Sequence, residues 1–217
     1  MDGTFNLVGD KSVNTKVYTN TAPQDIYNLS EHLIEYIHDM NGKGAGGGDT
    51  INAGVSQFTG WKSFDSPYIR QLLDWIGYEI QMYWGRQIQD YRPVFSQVWG
   101  MGYDVNDVTP AHSHDPAHTS FTYYPYIENP EIAQPLEICK VPDGSIEMDL
   151  SECAEHVQDK TRQWGETLLT IPPHTGQLVI FPAYCFHQVK PVKIQTKRYC
   201  IAGNVHHDFE NATSFNT

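Results

Sequence analysis

At 217 residues and 40% hydrophobic composition, the chain can bury one well-formed core but not two independent ones. A formal charge of −12 repels phosphate backbones and argues against nucleic acid as a partner. No stretch approaches the roughly 18 consecutive apolar residues of a membrane helix, and Met1-Asp2-Gly3-Thr4 lacks the basic and apolar regions of a secretory signal. A cytoplasmic protein with no membrane partner is expected. Cys139, Cys153, Cys185 and Cys200 form no CxxC pair, which suits free thiols in a reducing compartment.

The first twenty residues read as one or two short strands closed by Thr21-Ala22-Pro23. Beyond Pro23 the period changes, and Ile26, Leu29, Leu33, Tyr36 and Ile37 recur at helical spacing. His32 and His38 fall on different sides of that helix and read as solvated. The glycine-rich run 42–48 stops the helix. No Gly-Lys-Ser/Thr follows it, so it is a flexible loop rather than a phosphate cradle. A second amphipathic helix comes next, capped by Asp65 or Ser66, with Pro67 in its first turn. Ile69, Leu72, Leu73, Ile76, Ile80 and Tyr83 form its buried stripe.

After Tyr91-Arg92-Pro93 the texture is β, with runs at 94–103, 119–127, 136–141, 167–171, 177–181, 186–189 and 198–205 punctuated by Pro and Gly. Helices followed by many short strands suggest an α+β, mainly β fold in which helices pack on one face of a jelly-roll. The chain reads as a single domain. Residues 1–91 supply N-terminal strands and supporting helices, 92–205 the β core, and 206–217 a tail. The stretch 139–165, with Asp143, Glu147, Asp149, Glu152, Glu155 and Asp159, breaks the rhythm as an acidic insertion, either a binding loop or a solvated excursion.

Within the β region, Ala111-His112-Ser113-His114-Asp115-Pro116 carries a His-x-His pair. On a strand, residues i and i+2 share a face, so His112 and His114 aim two imidazoles at one point. His187 can add a third ligand from another strand, and three ligands leave open positions, the mark of a catalytic metal. Arg198 follows on what should be the next strand. His118 is at best near the site or facing a substrate, whereas His156, His174 and the His206-His207 pair read as surface features.

This pattern resembles the iron(II)- and 2-oxoglutarate-dependent oxygenases, in a prolyl-hydroxylase-like branch common in phage and marine bacteria. The matching residues are Trp99, His112, His114, Tyr123, Tyr124, Gly176, Leu178, Val179, Phe181, Pro182, His187, Arg198 and Asn204, and Gly60-Trp61-Lys62-Ser63 is similar to a Gly-Trp-x-Ser element of that group. The resemblance spans roughly residues 56 to 205 and implies a double-stranded β-helix holding Fe(II). It further implies that 2-oxoglutarate takes two open iron positions and O2 the third. Arg198 would hold the distal carboxylate of 2-oxoglutarate, aided by the hydroxyl of Tyr123 or Tyr124.

One departure matters. The superfamily more often carries HxD or HxE, and position 114 is His. Either His112, His114 and His187 are the three ligands or Asp115 replaces the expected carboxylate. Strand alternation puts Asp115 opposite His114 and favours three histidines. The activity implied is hydroxylation of a peptidyl side chain (prolyl among them) or a small molecule, with release of succinate and CO2, in the cytoplasm of a host if the chain is phage-encoded. A cupin-type metal dioxygenase without 2-oxoglutarate is the rival enzyme, and a non-catalytic β-sandwich binding or virion module the rival binding protein. Arg198 discriminates, because a cupin has no use for a cation at that offset.

Overall fold

The computed structural model describes residues 3–8, 15–40, 66–84, 92–146, 149, 151 and 163–208. The strands are β1 (Thr4–Val8), β2 (Thr15–Thr21), β3 (Arg92–Gly102), β4 (Thr109–His112), β5 (Thr119–Ile127), β6 (Leu136–Cys139), β7 (Thr167–Ile171), β8 (Gln177–Pro182), β9 (His187–Val189) and β10 (Arg198–Asp208). The helices are α1 (Gln24–Tyr27), α2 (Ser30–Met40) and α3 (Pro67–Trp84). A six-stranded sheet runs β1-β2-β8-β5-β10-β3 and a four-stranded sheet runs β4-β9-β6-β7, with every pair antiparallel. This is the double-stranded β-helix expected, with helices against the larger sheet.

Alternation along the central strands divides the interior in two. Phe121 and Tyr123 on β5, Leu178 and Ile180 on β8, and Ile201 on β10 face the helices, joining Leu33, Ile37, Ile69, Leu72, Leu73, Ile76 and Ile80. Their neighbours Tyr124, Val179, Phe181 and Cys200 face the smaller sheet, joining Leu136, Ile138, Ile171 and Val189. Each fully buried aliphatic or aromatic side chain contributes roughly 1.5–3 kcal/mol of transfer free energy. Both faces of β5, β8 and β10 are covered, which is why these strands read as continuous apolar runs.

Ser66 caps α3, its Oγ accepting the Ile69 N–H at 3.4 Å, and Pro67 opens the first turn. The single helix expected beyond Pro23 is instead α1 and α2, separated at Asn28 and Leu29. Ser30 donates its hydroxyl to the Tyr27 carbonyl at 2.7 Å, and the Leu29 N–H bonds to Ile26 O, so a tight turn takes the place of helical bonds. The N-terminal strands join the larger sheet, β2 pairing directly with β8. The last strand runs to Asp208, past the expected start of the tail.

Two glycines are demanded by geometry. Gly176 has φ +79° in the turn before β8, where its N–H meets Tyr124 O and its carbonyl takes the Ala22 N–H. Gly203 on β10 lies so close to β3 and β5 that a Cβ would fall 2.6 Å from the Phe121 ring and 2.7 Å from Gln97 O. The glycine-rich run 42–48, the Gly60-Trp61-Lys62-Ser63 element, Asp65, Cys153, His156 and most of the acidic insertion lie outside the described residues. Among the described helices, none is long and apolar enough to cross a membrane.

Candidate active site

The two sheets enclose a cavity of about 940 Å³, and the three histidines singled out by spacing meet in its wall. His112 ends β4 and His187 begins β9, and the two are direct register partners. Strand β4 stops at His112, so His114 is not carried by strand alternation as expected. Its backbone N–H is tied instead to Ala183 O at 2.8 Å, and the Ala117 N–H closes a turn onto His114 O. The rings still converge, with centroids 4.8 Å (112–114), 4.3 Å (112–187) and 5.0 Å (114–187) apart. One ring nitrogen from each lies within 4.8 Å of the others. Facial ligands roughly 2.1 Å from an ion have nitrogens roughly 3 Å apart, so modest ring rotation seats a single metal.

The protons on these rings are already placed for that task. His112 donates Nδ1–H to Pro110 O at 2.8 Å, and His187 donates Nδ1–H to Cys185 O at 3.1 Å. A carbonyl can only accept, so Nδ1 holds the proton in each ring and Nε2 carries the lone pair a metal needs. Burial, reinforced by the neighbouring His112, pushes the His114 pKa down to about 3. Burial, then His112 and His114, puts His187 well below the usual histidine range. Both shifts favour the neutral form that ligates metal. Asp115 is exposed at the cavity mouth and is not part of the group of convergent ligand atoms.

The other end of the cavity is built for an anion. Arg198, the first residue of β10, is 2% exposed and stays charged. Its Nε–H donates to Gln134 O at 3.1 Å, its Cζ lies 4.2 Å from the Tyr103 ring centroid and 5.3 Å from that of Tyr124, and Nη1 has no hydrogen-bond partner among the described residues. The Tyr124 hydroxyl, buried in the same cavity, has none among them either. Burial outweighs the nearby guanidinium and raises the Tyr124 pKa, so its hydroxyl keeps its proton and remains a donor. A buried cation beside a buried hydroxyl donor fits a carboxylate, which satisfies both at once. Tyr123, the other candidate for this role, points the opposite way. It packs edge-on against Trp75 of α3, ring centroids 5.9 Å apart, because adjacent strand residues face opposite sides of a sheet.

Sequence reasoning did not single out Tyr103 or Gln134. Tyr103 shares parity with Trp99 along the β3 direction, a signal available from alternation alone. Its hydroxyl pairs with Thr109 Oγ1 at 2.7 Å, and burial pushes its pKa up to about 12. Gln134 acts through its main-chain carbonyl, which leaves no trace in residue type. His174 is exposed in its turn as expected, and Cys139, Cys185 and Cys200 are buried free thiols. His207, expected on the surface, is buried. Its Nε2 bonds to Thr119 Oγ1 at 2.9 Å, Trp84 of α3 covers it edge-on, and its N–H donates to His118 Nδ1 at 3.2 Å. A tertiary contact from the helix overrides the local pattern there. His118 itself is exposed.

The fold and the site agree with the comparisons. The 2OG-Fe(II) oxygenase family model matches residues 97–204, the span that contains every residue of the site just described. No curated protein matches the chain in sequence. Among solved structures the chain is similar to AviO1 from Streptomyces viridochromogenes Tue57, with TM-score 0.55 and 12% identity over 91% of each chain. It is also similar to HygX from Streptomyces hygroscopicus, solved with nickel and 2-oxoglutarate bound, with TM-score 0.51 and 11% identity over 92% of this chain and 86% of that one. At such identities the likeness is one of fold, and it is the matched family together with the convergent imidazoles that gives the fold its chemistry. Over residues 97–204 the chain matches the 2OG-Fe(II) oxygenases, oxidoreductases that work with ferrous iron and 2-oxoglutarate, and its convergent imidazoles fit that chemistry.

Proposed function

We propose that the protein is a hydroxylase in which His112, His114 and His187 hold Fe(II) and Arg198 with Tyr124 holds the distal carboxylate of 2-oxoglutarate. The observation that carries this reading is the pairing, in one cavity, of three convergent imidazoles with a buried arginine and tyrosine hydroxyl that have donors to spare. When bound, iron and 2-oxoglutarate supply the oxidising power, consuming O2 and releasing succinate and CO2 as the substrate C–H bond is hydroxylated.

The residues of the chain position and protect. The Pro110 and Cys185 carbonyls fix two imidazoles in the tautomer that presents Nε2. Gln134 and the faces of Tyr103 and Tyr124 hold the guanidinium in place, so it meets a carboxylate without rearrangement. Leu136, Phe181 and Val189 line the cavity between them and keep water from the reacting groups. Three histidines leave the iron site one charge more positive than a two-histidine carboxylate site, which strengthens its hold on an anionic cosubstrate. The primary substrate is a peptidyl side chain, prolyl by family likeness, or a small molecule of similar size.

Aerobic incubation with Fe(II) and 2-oxoglutarate tests the assignment through succinate. Slow succinate release without added substrate, abolished by His187→Ala, supports it. The absence of succinate from iron-loaded protein would count against it, and a buried Arg198 with no cosubstrate to bind would then need another anion.

A further inference from the structure

Beyond the imidazoles the cavity continues to a wall made by three neighbouring strands. Gln97 on β3, Asn204 on β10 and Ser120 on β5 are register partners, forming one row across the sheet. Asn204, 3% exposed, accepts from Ser120 Oγ at 2.9 Å through Oδ1 and donates from Nδ2 to Gln97 Oε1 at 2.9 Å. This commits the oxygen of the Gln97 amide. Its Nε2 has no partner among the described residues, and Gln97 lines the cavity. Two residues along β3 on the same face, Trp99 packs against His114 with ring centroids 5.4 Å apart. Gln97 therefore stands one side chain beyond the ring that covers a metal-site histidine.

The charge along the cavity is one-sided. Counting histidines as neutral, the charged side chains among its described lining residues are Arg198 at the inner end and Asp115 at the mouth. An anion is welcome beside Arg198. At the Gln97 end, with His206 counted as neutral, no charged side chain among the described lining residues would compensate it. The apolar surface beside it includes Trp99 and Ala202, next to one fixed polar row. Such a row orients a ligand rather than merely wetting it.

We propose that the Gln97–Asn204–Ser120 row selects the substrate, taking an uncharged group that bears an oxygen acceptor (an amide carbonyl or a hydroxyl) and turning anions away. Gln97 Nε2 donates to that oxygen, and Asn204 and Ser120 are positioning residues that hold the amide. This rests on the oxygenase reading, since it makes this end of the cavity the place where the target C–H bond is presented.

The test uses Zn(II) in place of iron, with 2-oxoglutarate present, so that nothing turns over. Binding is followed by saturation-transfer NMR. The neutral probes are N-acetylglycylprolinamide and methyl glucoside, which separate a peptide from a saccharide source. Their carboxylate counterparts are N-acetylglycylproline and glucuronic acid, and their amine counterparts are glycylprolinamide and glucosamine. At least one neutral probe binds saturably, and its carboxylate counterpart binds about tenfold more weakly. Gln97→Leu weakens the neutral probe by about tenfold, the value of one well-made hydrogen bond. Gln97→Glu loses the neutral probe and gains the amine counterpart, a gain that a misfolded variant cannot show. Gln97→Leu binding the neutral probe as well as the wild type overturns the proposal. So does tighter binding of the carboxylates, or no neutral probe binding at millimolar concentration. Retention of 2-oxoglutarate in the same samples shows that the wall alone has failed, whereas its loss from the wild type brings down the oxygenase reading and the proposal together.

Discussion

His112 and His187 face each other as register partners on β4 and β9, and each donates its Nδ1–H to the carbonyl two residues before it. The same local bond on two antiparallel strands turns the same nitrogen of both rings toward the space between them. His114 reaches that space by a different route, through a loop tied to Ala183. The convergence of the three imidazoles is thus half strand geometry and half loop anchorage.

Arg198→Ala removes the buried cation while leaving the imidazoles in place. Loss of charge-assisted hydrogen bonds worth roughly 1.5–3 kcal/mol predicts roughly 10- to 150-fold weaker 2-oxoglutarate binding, with iron affinity changed far less. Calorimetric titration of each ligand into the variant checks both halves. Equal losses for the two would mean that Arg198 supports the fold rather than the cosubstrate.

Tyr124→Phe and Tyr123→Phe make a matched pair. The first removes a hydroxyl in the cavity and weakens 2-oxoglutarate several-fold, by one neutral hydrogen bond. The second alters a ring packed on Trp75, away from the cavity, and leaves cosubstrate affinity where it was. The reverse order in a binding titration would place the wrong face of β5 toward the site.

Glu79 of α3 is buried on the helix side, where its carboxylate accepts from Tyr18 Oη at 2.6 Å, Asn20 Nδ2 at 3.0 Å and Trp75 Nε1 at 3.1 Å. Glu79→Ala strands three donors and destabilises the fold by roughly 3 kcal/mol. Urea denaturation measures the loss. Metal stoichiometry of the folded variant stays the same, because the sheet separates Glu79 from the imidazoles.

His207 gives the protein an acid limb of its own. Burial, then the nearby His118 and His206, lowers its pKa from 6.5 to about 4. Between those values the unfolded chain takes up a proton that the folded chain refuses. The stability it contributes is therefore complete above about pH 6.5 and is lost as pH falls toward about 4. His207→Gln, which can still pair with Thr119, gives a shallower fall in urea stability over that window. An unchanged slope would remove His207 from the account.

Much of this was legible in the sequence. The runs of β-branched and aromatic residues marked strands because both faces of the central sheet are buried. The His112-x-His114 pair, a distal His187 and a later arginine pointed to side chains that the fold brings into one cavity, although a loop and not strand parity delivers His114. What escaped depends on contacts distant in sequence. The stripe from Ile26 to Ile37 continues through the break at Asn28 and Leu29, so periodicity could not show it. Alternation says that Tyr123 and Tyr124 face opposite ways, but only the placement of the helices says which way each points. The row of Gln97, Asn204 and Ser120 needs the register of three strands, including the irregularity between Asn204 and Val205 on β10.

The most direct test of the central claim is an anaerobic titration of Fe(II) into the protein with 2-oxoglutarate, followed by the weak visible charge-transfer band. The account predicts one equivalent of iron per chain, a band that His112→Ala, His114→Ala and His187→Ala each abolish, and no change with Asp115→Ala. A band that survives His114→Ala but vanishes with Asp115→Ala would contradict the three-histidine centre.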